Sequence, residues 1–177
     1  LPYQGDPWAA GCRLYEEGDL TTARVALEDA VADDETRAYR HYLLGLTCLK
    51  LGDADAAVTE LERAVELDPS HVRSCVHLGR AYLAVEDPVT AREVVDSALD
   101  LDLEWADTWQ VLGRIELSES HLDEAEAAFA KAVDLDAAHA WAWNNLGYVR
   151  ILKGDFEGAA AALEKAVALR QDTASFF

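Results

Sequence analysis

The side chains best suited to chemistry in this 177-residue chain are a few arginines with polar neighbours. Arg73, His77 and Arg80 recur at i, i+4 and i+7, a spacing that places them on one face of an α-helix. Arg114 follows Arg80 after 34 residues. A guanidinium group binds a carboxylate through two parallel N–H donors. The chemistry indicated is therefore recognition of acidic groups.

Motifs for catalysis are absent. The sequence contains no HExxH zinc motif, no GxxxxGK[ST] phosphate loop, no GxSxG nucleophile turn and no GxGxxG dinucleotide fingerprint. The five histidines are scattered, and no pair of the abundant carboxylates has a spacing specific to acid–base work. We therefore predict that the protein is not an enzyme and uses neither a metal ion nor another cofactor.

A 34-residue period positions these residues, and Ala140–Gln171 shows it best. That stretch holds two apolar-periodic segments joined by the tight turn Lys153-Gly154-Asp155. Four columns recur in phase: Gly11, Gly45, Gly79, Gly113 and Gly147; Ala23, Ala57, Ala91, Ala125 and Ala159; Ala30, Ala64, Ala98, Ala132 and Ala166; Leu44, Leu78, Leu112 and Leu146, with Ala10 in the first unit. The small residues let paired helices approach closely, and stacking of neighbouring pairs completes the core.

The pattern resembles the tetratricopeptide repeat family, whose signature is W-x2-L-G-x2-Y … A-x3-F … A … P. The last unit supplies Trp143, Leu146, Gly147, Ala159, Leu163 and Ala166, and the fourth supplies Trp109, Leu112, Gly113, Ala125, Phe129 and Ala132. The resemblance implies an all-α, right-handed superhelical solenoid of antiparallel helix pairs. We expect one domain over 1–177, with repeats at about 4–37, 38–71, 72–105, 106–139 and 140–173, and 174–177 as a tail or the start of a sixth repeat.

The resemblance also implies that the first helix of each repeat faces a concave groove that grips a peptide or protein segment. The residues opposite the packing columns are then the candidate peptide-binding set: Tyr39, Tyr42, Arg73, His77, Arg80, Gln110, Arg114, Trp141, Asn144, Asn145 and Tyr148. Arg80 and Arg114 share a column, so we expect their guanidinium groups to be neighbours. An alternative is that the arginines pair with Asp107 or Glu104 and only solubilise the groove. Some family members hold a C-terminal carboxylate with Lys, Asn, Asn, Lys and Arg from three successive repeats. This set of residues is absent here, whichever repeat is taken as the first of the three.

Net charge limits the classes of partner that the protein is expected to bind. A charge of −19 and a pI near 4.4 argue against nucleic acid and anionic membranes as ligands. No apolar run approaches the length of a membrane-spanning helix, and no signal peptide is evident, so a cytoplasmic location is weakly favoured. The acidic residues of the second helices, among them Glu60, Glu62 and Glu126, are expected to form a solvated outer face. A partner with acidic groups fits the arginine cluster.

The remaining expectations concern the cysteines and the ends of the chain. Cys12, Cys48 and Cys75 have no ligand spacing, so buried packing is the favoured interpretation. The chain lacks methionine and is expected to be a fragment or a processed form. Phe176 and Phe177 are expected to mark an apolar C-terminal end that favours homo-oligomers. The leading function is a scaffold or adaptor; the alternatives are a self-assembly module and an accessory domain of a larger enzyme or secretion complex.

Overall fold

The computed structural model describes residues 2–174, with side chains for 2–170, and within this range all regular structure is α-helical. Ten helices follow one another in pairs. They are α1 (Pro7–Glu17), α2 (Leu20–Asp33), α3 (Ala38–Leu51), α4 (Ala54–Leu67), α5 (Val72–Ala84), α6 (Pro88–Leu101), α7 (Ala106–Ser118), α8 (Leu122–Leu135), α9 (Ala140–Lys153) and α10 (Phe156–Ala174). They form two compact units, one up to Val94 and one from Val95 onward.

Aspartates and left-handed residues set the limits of these helices. The Asp19 side chain accepts a hydrogen bond from the backbone N–H of Thr22 in the first turn of α2. The Asp53 side chain accepts one from Ala56 in the first turn of α4, and both distances are 3.2 Å. Gly18, Gly52 and Gly154 end the first helices of their repeats with φ of 81 to 83°. The third and fourth repeats lack this glycine, and Glu86 and Ser120 adopt φ of 62° and 64° there instead. A side chain in this region is strained.

The glycine column marks the closest approach of the paired helices, as predicted. A methyl group on Gly45 of α3 would lie 2.6 Å from Leu61 Cγ, and one on Gly113 of α7 would lie 2.6 Å from Phe129 Cε1. Leu61 and Phe129 are completely buried. The absent side chains therefore provide the space that these large residues fill.

The signature tryptophans Trp109 and Trp143 are 34 residues apart and form a further packing column, the tryptophan column. The indole N–H groups of Trp109 and Trp143 donate to carbonyls six residues earlier, those of Leu103 (2.8 Å) and Ala137 (2.9 Å). His41 occupies this column in the second repeat and is buried. Its Nε2 lies 3.0 Å from the Glu35 carbonyl, which is also six residues earlier. The imidazole thus replaces the indole in the same local contact.

Each unit has its own core. In the first unit the buried core includes Leu27, Leu43, Leu44, Cys48, Ala57, Leu61, Ala64 and Leu78. In the second it includes Ala125, Phe129, Ala132, Val133, Ala142, Leu146 and Val149. Cys48 and Cys75 are buried and Cys12 is partly buried, and all three are free thiols. Burial raises the pKa of Cys48 to about 11, which fits a packing role.

The expectation that the acidic face of the second helices is simply solvated is wrong in part. The Glu60 carboxylate lies 2.8 Å from His41 Nδ1, and Glu62 accepts a hydrogen bond from the Tyr82 hydroxyl. Several such carboxylates therefore face a first helix and not only water.

Glu126 shows the same behaviour in the second unit. It accepts from Lys153 Nζ at 2.6 Å and from Arg150 Nε at 2.8 Å, both on α9. The hydrogen bond from Lys153, followed by that from Arg150, lowers the pKa of the Glu126 carboxyl. Glu126 therefore joins α8 to the next helix as an ionised group.

Candidate functional site

Two first helices and two second helices differ sharply in charge. The first helices α3 and α5 contain four basic residues and no acidic residue: Arg40, Lys50, Arg73 and Arg80. The second helices α4 and α8 each contain four acidic residues and one basic residue. The net charge of −19 is therefore unevenly distributed, and two first helices are cationic within an acidic protein.

In the first unit the candidate residues gather around Tyr42. The ring centroid of Tyr42 lies 5.6 Å from that of Tyr39 and 5.8 Å from that of His77. Tyr42 is buried, at 7% exposure, whereas Tyr39 is 55% exposed. Burial raises the pKa of Tyr42 to about 12, and the nearby positive charges of Arg73 and Arg80 oppose this shift. Five predicted residues are thus brought into one neighbourhood of the first unit.

Four residues outside the predicted set extend this cluster. The Trp8 ring meets Tyr39 edge to face at 5.6 Å, and the His71 ring meets Tyr42 edge to face at 4.9 Å. The Lys50 ammonium lies 4.1 Å above the ring of Tyr15. A signal for Trp8 exists in the sequence, because it precedes Tyr42 by one 34-residue period and so shares its column. No comparable signal identifies the other contacts.

In the second unit the candidates lie on α7 and α9, beside an open groove of about 440 Å³. The groove is lined by Arg114, Leu117, Ser118, Ser120, Leu122, Asn145, Tyr148 and Leu152. Tyr148 and Leu152 are about half exposed. The groove therefore combines one guanidinium and one amide with an apolar wall.

The other second-unit candidates differ in exposure. Gln110 is buried at 5% exposure, Asn144 is partly buried, and Trp141 is 61% exposed beneath the guanidinium of Arg170 at 5.0 Å. Gln110 therefore lies beneath the candidate binding surface and contributes little to its exposed area.

Asp107, the alternative partner for the arginines, accepts a hydrogen bond from Trp105 Nε1 at 3.0 Å and lies 3.5 Å from His139 Nε2. The candidate set thus divides into one group in each unit. The expected proximity of Arg80 and Arg114 stays a prediction.

A group of metal-ligand type also occurs in the second unit. Ligand atoms of Glu116, Glu119 and His121 all lie within 4.8 Å of one another. His121 is exposed, and its Nδ1 lies 3.1 Å from Glu116 and 3.6 Å from Glu119. These distances match ordinary surface ion pairs, so the group receives no metal assignment. Among the helices of residues 2–174, none is both long enough and apolar enough to cross a membrane.

Comparison with known proteins places this geometry in a family. Models of the tetratricopeptide repeat match residues 14–73, 49–115 and 111–174. No curated protein matches the chain. Repeats of this family generally serve as interaction modules and not as catalysts.

Several solved structures are similar to the chain. MamA of Desulfovibrio magneticus is 23% identical, with a TM-score of 0.76 and coverage of 96% of this chain and 98% of that one. A thermophilic protein of Thermus thermophilus is 24% identical, with a TM-score of 0.79 and coverage of 96% of both chains. YrrB is 24% identical, with a TM-score of 0.66 and coverage of 93% of this chain and 84% of that one. These likenesses concern the fold, and with the family matches they confirm the predicted all-α repeat architecture: the chain belongs to the tetratricopeptide repeat family.

Proposed function

We propose that this protein is a non-enzymatic scaffold or adaptor that binds an acidic peptide or protein segment in a groove lined by its first helices. The observation that carries the proposal is the division of charge. Helices α3 and α5 hold four basic residues and no acidic residue, although acidic residues outnumber basic ones 34 to 15 in the chain. Clustering of a scarce charge on two neighbouring first helices is the arrangement needed to attract an oppositely charged partner.

The side chains of this surface suit such a ligand. Arginine binds carboxylates through a planar fork, and the Asn145 amide can bond an extended backbone. Tyr39, Trp141 and Tyr148 are 49 to 61% exposed and offer flat apolar contact with few rotatable bonds. YrrB carries a peptide-binding site, which supports a peptide as the ligand class.

A matched pair of charge reversals tests this proposal. The Arg80→Glu/Arg114→Glu protein reverses two charges on first helices, and Arg63→Glu/Lys131→Glu reverses two exposed charges on second helices. Both variants and the wild type are used to capture partners from lysate, with identification by mass spectrometry and circular dichroism to verify folding. We expect a partner that the wild type and the second-helix variant retain and the first-helix variant loses. Equal capture by all three proteins contradicts binding at the first helices.

A second candidate function, self-assembly, is favoured by α10. Val133 of α8 is buried at 6% exposure against α9, whereas Val167, which occupies the same column of α10, is 55% exposed. Ala160, Leu163, Glu164, Val167 and Ala168 line an open groove on this helix. We infer that a second copy of the chain covers this face. Phe176 and Phe177, the two residues predicted from the sequence to promote association, lie outside the described residues.

Light scattering over a range of concentrations tests self-assembly. Val167→Glu is expected to abolish any oligomer, because a carboxylate cannot be buried unpaired at an apolar interface. Val89→Glu, at another exposed valine, is the control and is expected to have no effect. A wild type that remains monomeric at every concentration, or an oligomer that survives Val167→Glu, contradicts this role.

A further inference from the structure

The first unit carries an aromatic track formed by Trp8, Tyr39, Tyr42 and His77. Consecutive ring centroids are separated by 5.6, 5.6 and 5.8 Å, and the track passes from α1 across α3 to α5. Two of these contacts join different first helices, α1 to α3 and α3 to α5, and the third lies within α3. The rings therefore form a continuous strip and not isolated surface aromatics.

The strip is held in place at Tyr42 and is accessible at its other three rings. Tyr42 is buried at 7% exposure, where its ring also contacts His71, so it serves as a fixed floor. Tyr39 is 55% exposed, and Trp8 and His77 are partly exposed. An aromatic ring whose position is fixed by packing loses little entropy when a ligand covers it.

Cationic groups border the strip where it reaches α5. Arg73 and Arg80 lie one turn on either side of His77, and both lie close enough to Tyr42 for their charges to act on its hydroxyl. Neither α3 nor α5 contains an acidic residue to oppose an anionic ligand. The strip is thus aromatic along its length and bordered by positive charges where it reaches α5.

We propose that the aromatic track binds a proline-rich acidic segment in the polyproline II conformation. The inference rests on the proposed function and specifies its ligand. Polyproline II rises ~3.1 Å per residue and repeats every three residues, so three ring-to-ring steps correspond to at most about five or six residues. One edge of such a segment can place proline rings on the aromatic strip, while acidic side chains on another edge reach Arg73 or Arg80.

Other binding modes fit this surface less well. An amphipathic helix needs a wide apolar groove for side chains at i, i+3, i+4 and i+7, whereas the strip is a single row of rings. Addition of a β-strand needs an exposed sheet edge, and residues 2–174 contain no strand. A preformed extended helix that docks on aromatic rings needs only what the strip offers.

Three synthetic peptides test the inference by fluorescence anisotropy. They are a Glu-Pro-Pro repeat of about 12 residues, a Lys-Pro-Pro repeat of the same length, and a Glu-Gly-Ser repeat with the same charge but a flexible backbone. We expect the Glu-Pro-Pro peptide to bind at least about tenfold more tightly than either of the others, because only it combines acidic charge with preformed polyproline II.

Substitutions then locate the binding. Tyr39→Ala is expected to weaken binding of the Glu-Pro-Pro peptide about tenfold, and Tyr39→Phe to leave it nearly unchanged because the ring remains. Phe156→Ala removes another exposed ring, 71% exposed on α10, and is the matched control. Tyr39 is exposed, so the Tyr39 variants are expected to fold, and thermal melts verify this.

The outcomes separate the inference from the proposed function. Equal binding of the Glu-Pro-Pro and Glu-Gly-Ser peptides, lost in Arg80→Glu, overturns the polyproline II inference and leaves acidic recognition intact. Failure of the Glu-Pro-Pro peptide to bind, or binding insensitive to Tyr39→Ala, also overturns the inference. The capture experiment with the Arg80 and Arg114 variant judges the proposed function independently.

Discussion

Gly113→Ala is the sharpest test of how the helix pairs pack. The new methyl group would lie 2.6, 2.7 and 2.8 Å from Phe129 Cε1, Cδ1 and Cζ. Ordinary van der Waals contacts between carbon atoms are ~3.5 to 4.0 Å. The ring must therefore move by nearly 1 Å. Phe129 is fully buried among Ala125, Ala132 and Val133, so it has little room to do so.

Two opposing effects determine how much Gly113→Ala changes the free energy of unfolding. Alanine is favoured over glycine within a helix by about 1 kcal/mol. Forcing an extra methyl group into a packed core costs about 1 to 3 kcal/mol, and more when the neighbour is immobile. We expect the overlap to dominate and the free energy of unfolding to fall by about 1 to 2 kcal/mol. For a chain of this length this corresponds to a melting temperature lower by roughly 2 to 8 °C.

A double-mutant cycle with Phe129→Ala separates the two effects. Urea unfolding is followed by far-UV circular dichroism for Gly113→Ala, Phe129→Ala and the double variant. Phe129→Ala alone is expected to cost about 3 to 5 kcal/mol. In its background Gly113→Ala is expected to become neutral or stabilising, because the ring is gone and only the helix preference remains. The coupling energy should then reach about 2 kcal/mol.

Two results would refute this reasoning. One is a Gly113→Ala protein at least as stable as the wild type, which would mean that the helices separate at no cost. The other is an equal loss of stability in both backgrounds, which would place the effect in the backbone of α7 and not in the contact with Phe129.

Three further perturbations have expected outcomes. Because the pKa of Glu126 is lowered in the folded state, its contribution to stability is present above the unfolded value of about 4.3 and is lost as pH falls; Glu126→Gln should flatten this acid limb in urea unfolding against pH. Near pH 8 a maleimide should label Cys12 before Cys48, because Cys48 is buried and its pKa is raised to about 11, and mass spectrometry of quenched samples reports the order. Asp53→Ala should lower the melting temperature more than Asp19→Ala does, because Asp53 caps α4 and also accepts a hydrogen bond from Arg24 Nη1 at 2.8 Å.

Most of the fold was predictable because the sequence pattern recurs every 34 residues without an insertion. The tight turn predicted at Lys153-Gly154-Asp155 is present between α9 and α10, with Gly154 at φ of 83°. Such accuracy reflects strong local signals: a proline at the first helical position, a left-handed glycine after the last, and small residues wherever helices approach.

Side-chain contacts across helices were less predictable. The columns show which face a residue occupies, but Tyr42 is buried although it lies on the face assigned to the groove. The prediction that the acidic outer face is simply solvated was wrong for Glu60 and Glu126, because the side chains of His41 and Lys153 reach across and contact them. A period fixes backbone position, whereas such pairs depend on rotamers and on the lengths of two side chains.

The left-handed turns at Glu86 and Ser120 have a consequence for how this protein can change. Each holds a side chain where glycine would cost less, by about 1 kcal/mol. Glu86 lies outside the packing columns and outside the candidate binding residues, whereas Ser120 lines the groove beside α7 and α9. Replacing Glu86 with glycine would therefore add stability without touching the core or the ligand surface. The third repeat thus holds a reserve that could offset destabilising substitutions on α5 and α7, so the array can acquire new binding specificities while staying folded.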